Sequence, residues 1–208
     1  MTATSVIRQV NQEFESTVET HSETEETSKG TRQKINLETS KKVMAGQLRV
    51  VLFGEDFAKE GLNESLHTLI MNSEVSNSIF LAVTEGKAQP LIETKYQNIT
   101  DLGQHIFGLI DHNVKQQHII SSTLHEVVRD FYNPLRDLTL PIIEKKDQTI
   151  EVSGVAFFHK GKMQGKLPSG DILYIMMARG KFRFGTLELE LPTNGLSPNE
   201  HHEETIPI

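Results

Sequence analysis

The chain has 208 residues, 37 % of them apolar, with a net charge of −7 and no cysteine. That length suits one large domain or a medium one plus a small one, and the lack of cysteine excludes disulfides, thiolate metal sites and cysteine nucleophiles. Residues 1–30 and 200–208 hold the excess acid while the middle balances 19 basic against 19 acidic side chains, so no phosphate-binding stripe exists and nucleic acid is not an expected partner.

In chain order, Thr2 to Val10 has β-branched residues in rough alternation and predicts a strand. Residues 11–33 are rich in Glu, Thr and Ser, with few large apolar side chains. They are expected to form a mobile acidic loop, because so little apolar surface cannot offset the entropy of ordering. Ile35 to Gly46 reads as a surface helix. The stretch LRVVLFGEDFAKEGL (48–62) is the central unit: an apolar strand from Leu48 to Phe53, a turn at Gly54, and a short helix opened by Glu55 and Asp56. Acidic side chains suit the positive end of a helix dipole, and a strand, turn and helix in succession predict an α/β domain.

Asn63 reads as the N-cap of a helix presenting Leu66, Leu69 and Ile70. Ile79 to Val83 is a second apolar strand, ended by Glu85-Gly86. Asp101 with Gln104 and Thr123 with Glu126 have capping-box spacing and precede two helical stripes, the second stopped by Asn133-Pro134. From Leu138 the texture turns to β: alternating Leu138, Leu140 and Ile142, then a hairpin of Ile150–Phe158 and Lys162–Leu167 turning at Lys160-Gly161. Ser169 predicts a capped helix from Gly170 to Arg179, and Thr186 to Leu191 (TLELEL) an alternating strand. The expected fold class is therefore α/β (α+β): a mixed sheet flanked by helices in residues 1–139, a small mainly antiparallel β domain with one helix in 140–192, and a linker in 193–208.

Candidate chemistry is sparse. His105 and His112 are seven apart and so share a helix face two turns apart, whereas zinc ligands usually sit at i, i+3 or i+4 or across a short turn. They, with His118 and His125, read as ordinary surface histidines, and His201-His202-Glu203-Glu204 as a charged tail. Ser153-Gly154 and Ser169-Gly170 lack the Gly-x-Ser-x-Gly elbow, and no glycine-rich phosphate loop is present. Glu55 and Asp56 are explained by their place at a helix start. The residues thus predict no catalytic, metal or cofactor site and leave the binding site unknown. They argue against an enzyme and leave a module of unassigned role.

The segments LRVVLFGEDFAKEGL (48–62), SEVSNSIFLAVTEGKAQ (73–89), DLTLP (137–141) and GVAFFHKGKMQGKL (154–167) together resemble the C-subunit lipoproteins of bacterial spore germinant receptors, the Ger(x)C family. The resemblance spans residues 30 to 191. It implies a non-enzymatic subunit, lipid-anchored on the outer face of the spore inner membrane, that works with membrane-embedded A and B subunits and is required for nutrient-triggered germination. It also implies three α/β domains, of which this chain carries most of the first and the second. The lipidated cysteine of the family is absent, and so is the third domain, which predicts a fragment of a longer lipoprotein beginning at Met1. The matching positions are core and turn residues, Gly54 and Gly86 serving backbone geometry and Leu48 to Phe53 packing. An alternative is an extracytoplasmic module that binds an amino acid or sugar directly in a concave pocket.

Overall fold

The computed structural model describes residues 48–180 in full and, as backbone only, strands β1 (Thr2–Val10) and β2 (Ser16–Thr24). These two pair antiparallel over their whole length, from Thr2 opposite Thr24 to Val10 opposite Ser16. The strand expected at 2–10 is present. Its partner overturns the loop expected across 11–33, because main-chain pairing with β1 supplies an order that apolar periodicity does not register. The predicted helix at 35–46, the strand at 186–191 and the linker at 193–208 lie outside the described residues.

Strand β3 (Val50–Gly54) runs straight into α1 (Glu55–Glu60), and α2 (Asn63–Met71) follows after one turn. Asn63 is the first helical residue and not the cap. The preceding Leu62 occupies that position, with its N–H bonded to the Gly161 carbonyl at 2.8 Å, so the entry is set by a distant backbone contact. Next come β4 (Phe80–Thr84) and α3 (Ala88–Glu93), a helix the apolar pattern did not announce. Pro90 stands in its first turn, where a missing N–H leaves no intrahelical bond unmade. Helices α4 (Leu102–Lys115) and α5 (Leu124–Tyr132) start as their capping residues predict: the Asp101 and Thr123 side chains accept from the N–H groups of Gln104 and Glu126.

Strands β5 (Leu138–Lys146), β6 (Thr149–His159) and β7 (Lys162–Pro168) and a short helix α6 (Ile172–Ala178) complete the described part. The five strands β3 to β7 form one mixed sheet in sequence order, β3, β4 and β5 parallel and the last two pairings antiparallel. Composition suggested a domain boundary between residues 139 and 140, but that point falls inside β5, which is bonded to β4 on one side and β6 on the other. Residues 48–180 thus share one sheet.

Both faces of that sheet are covered. Leu81 and Val83 point into a core with Ala58, Leu62, Leu66, Leu124 and Val127 from α1, α2 and α5. Their neighbours Phe80 and Ala82 point the other way, against Leu91, Ile106, Ile110 and Met176 from α3, α4 and α6. The period of two along a strand places alternate side chains on opposite faces, so every residue of β4 is buried. Leu138 to Ile143 of β5 are all buried, so the strand read from the alternation of Leu138, Leu140 and Ile142 is covered on both faces. Pro141 offers no N–H, and the parallel pairing with β4 begins at the next residue, Ile142. The first half of β4 bonds instead to the approach to α5: Leu81 N–H reaches the Ser122 carbonyl at 3.0 Å and Leu124 N–H the Ile79 carbonyl at 2.9 Å.

Candidate interaction surface

Open sheets with parallel strands commonly take ligands beyond the carboxyl ends of those strands. Here that end is closed by its own side chains. Glu55 N–H donates to the Gly86 carbonyl at 2.8 Å, and Gly86 N–H donates back to Glu55 Oε2 at 3.3 Å. Thr84, fully buried, adds a bond from Oγ1 to the same carbonyl at 3.1 Å. Lys59 Nζ lies 2.7 Å from Glu55 Oε1, and Lys166 of β7 reaches both Glu55 and Glu85. The bond from Lys59 is the main reason that the Glu55 carboxyl titrates below its ordinary range, and the bond to Glu85 the main reason that Lys166 titrates above its own. Each charge in this network therefore already meets an opposite one. Gly86 adopts φ +69, the left-handed conformation expected of it, whereas Gly54 is extended at φ −62 with room for a methyl group, so β3 does not need glycine there.

A cavity of about 300 Å³ opens beside α3, lined by Ile92, Thr94, Lys95, Tyr96, Ile99, Thr100 and Leu102. Two of its polar groups are turned inward. The Tyr96 hydroxyl donates to the Leu91 carbonyl at 2.9 Å and Thr94 Oγ1 to the Pro90 carbonyl at 2.6 Å. Burial also pushes the Tyr96 phenol above its ordinary value. None of the seven lining residues is acidic. His105, His112 and His125 are exposed on their helices and His118 in the bend after α4; they are not gathered, and no group of three His, Asp or Glu among the described residues is placed to hold a metal.

The opposite end of the sheet differs. Asp130 of α5 is buried, and three guanidinium groups surround it: Arg129 Nε at 2.9 Å, Arg136 Nη1 at 3.5 Å and Arg179 Nη1 at 3.9 Å. Arg179, just after α6, also donates to Thr139 Oγ1 at 3.2 Å and to the Asp137 carbonyl. Burial lowers the Arg179 guanidinium from its ordinary value, and Asp130 and Asp137 oppose that effect. The turn after α5 is held by the Asn133 side chain, which accepts from Leu135 N–H at 2.9 Å, and by Arg136 N–H on the Asn133 carbonyl at 3.1 Å. On this frame Leu135 is 91 % and Tyr132 62 % exposed, while the Phe131 ring supports Tyr132 edge to face at 5.1 Å. Reading Asn133-Pro134 only as a helix stop missed this surface. The available signal was a leucine between Pro134 and Arg136 with no periodic partner.

Residues 1–145 match the family model described as the spore germination protein N-terminal domain. The chain belongs to this GerAC family of germinant receptor C subunits. It is also 30 % identical over 147 residues to the spore germination protein GerQC of Bacillus cereus, a match covering 71 % of this chain and 41 % of that protein. The chain thus spans well under half of this curated relative. Among solved structures it is similar to that of the GerBC protein, with a TM-score of 0.46 and 13 % identity over 89 % of this chain and 58 % of that one. The family match ends at Lys145 in β5, so it takes in the Tyr132–Arg136 turn, whereas Arg179, which braces the turn from behind, comes from beyond it.

Proposed function

We propose that this chain is the N-terminal part of a non-enzymatic lipoprotein subunit of a spore nutrient germinant receptor, required for nutrient-triggered germination through contacts with membrane-embedded A and B subunits. The family match over residues 1–145 carries this reading. No helix among the described residues is long and apolar enough to cross a membrane. In this reading the subunit is held at the outer face of the spore inner membrane by a lipid.

The test is deletion of the full-length gene, with dipicolinic acid release followed after a panel of amino acids and sugars and after an agent that bypasses nutrient receptors. The expected result is loss of the response to some nutrients with the bypass intact. Normal responses to every nutrient, persisting when close paralogues are also deleted, would refute the reading. Direct capture of a nutrient is less well supported. An amino acid entering the cavity beside Tyr96 would meet Lys95 for its carboxylate but no lining carboxylate for its ammonium group. Calorimetric titration of the 208-residue chain with the same nutrients checks this, and tight binding would favour a ligand module over a scaffold.

A further inference from the structure

We infer that the turn from Tyr132 to Arg136 docks another protein chain, inserting Leu135 and Tyr132 into an apolar recess edged by carboxylates. The inference deepens the proposed function and rests on its premise that the subunit works by protein contact. Single exposed apolar residues are ordinary. These two are distinguished by being three positions apart on a fixed frame. Of the four large apolar side chains exposed among the described residues, Met71, Tyr132, Leu135 and Tyr174, two belong to this one turn. Asn133 pins the backbone on either side of Leu135, Arg136 is tied to Asp130, and Phe131 supports Tyr132. Side chains already held in place lose less freedom on docking, and Tyr and Arg are the residue types that most often dominate binding energy at protein interfaces.

Charge selects the partner. Arg129, Arg136 and Arg179 converge on the single buried carboxylate of Asp130. Each guanidinium carries five N–H donors, so Arg129 and Arg136, both partly exposed, retain donors facing outward. A partner's Asp or Glu would meet them in paired hydrogen bonds. A second copy of this chain fits poorly, since a two-fold contact through this patch would set arginines against arginines. A membrane surface also fits poorly, because one leucine with one tyrosine make a weak anchor.

The test places a photo-reactive benzophenone residue at position 135 of the full-length protein in spores, with exposed position 71 as the control, and sequences the cross-linked peptide. The expected product joins position 135 to a peptide of another receptor protein containing apolar and acidic residues. Wild-type protein supplied in trans should compete that product away whereas Leu135→Asp should not, and Leu135→Asp should lower nutrient-triggered dipicolinic acid release by about tenfold or more, with Met71→Asp near wild type. Leu135→Ser serves as a milder variant, and melting of the 208-residue chain checks that each substitution leaves the fold intact. Cross-links only to lipid, only to a second copy, or no stronger than at position 71 would overturn the inference. If deletion abolishes the nutrient response but Leu135→Asp and Leu135→Ser germinate normally, the docking surface is wrong while the receptor reading stands. If position 135 captures such a protein yet deletion leaves germination intact, the surface stands and the receptor reading falls.

Discussion

Replacing Gly154 by alanine should be among the most damaging single-methyl additions in this chain. A Cβ at residue 154 would lie 2.1 Å from the Leu167 carbonyl oxygen and 3.3 Å from Pro168 Cα. Both belong to the main chain of β7, paired here with β6, so no side chain can rotate away. To admit the methyl, the strands must separate by more than an ångström and strain the pairing of Val155 with Leu167. Overpacking of this kind costs about 1–3 kcal/mol and a weakened backbone bond about 1 more, giving roughly 2–4 kcal/mol. For a chain of this size that lowers Tm by about 4–16 °C. The control lies on the facing strand, since a Cβ at Gly165 would meet nothing within 4 Å. Gly165→Ala should be neutral or stabilise by a few tenths of a kcal/mol, roughly the gain from a less flexible unfolded chain. Melting followed by far-UV circular dichroism decides. If the two variants melt within about 1 °C of each other, the close approach of β6 and β7 at Gly154 is refuted.

Gly161 sits at φ +78 in the β6–β7 turn, where alanine should cost about 1–2 kcal/mol from backbone strain alone. The added methyl would also strike the exposed Asn63 side chain, so Asn63→Ala should restore only part of the loss of Gly161→Ala in a double-variant melt. Glu55 titrates below its ordinary range when folded, so its contribution is present above the unfolded value near pH 4.5 and is lost as pH falls through the lower folded value. The Tm difference between wild type and Glu55→Gln should therefore be largest at neutral pH and vanish in acid. A difference that grows on acidification would contradict this. Asp101→Ala removes the bond to Gln104 N–H and should cost about 1 kcal/mol in chemical denaturation.

What could be read beforehand followed from local chemistry. The unit from Leu48 to Leu62, the Asp101 and Thr123 caps and the turn at Lys160-Gly161 all depend on neighbours within a few residues, and all are present. Missed or misread features depend on distant partners. Strand β2 owes its order to pairing with β1, β5 is buried on both faces because α-helices cover both, and Leu62 starts α2 through a bond to Gly161. The supposed boundary at residue 139 reflected a real change from helical to strand composition, but composition does not report that β5 lies beside β4. The arginine cluster was equally hidden, because Asp130 and Arg179 are 49 positions apart and meet only when α6 closes over the sheet.

The hairpin of β6 and β7 reaches back to the joint between α1 and α2, and Phe158, Met163, Ile172 and Met176 complete cores begun by residues near 53 and 80. During synthesis, then, the first βα units emerge before the strands and helix that finish these cores, which stay incomplete until about residue 176 has been made. A piece trimmed at residue 145, where the family match ends, would keep the matching segment but lose its closing strands, and should aggregate where the longer chain folds.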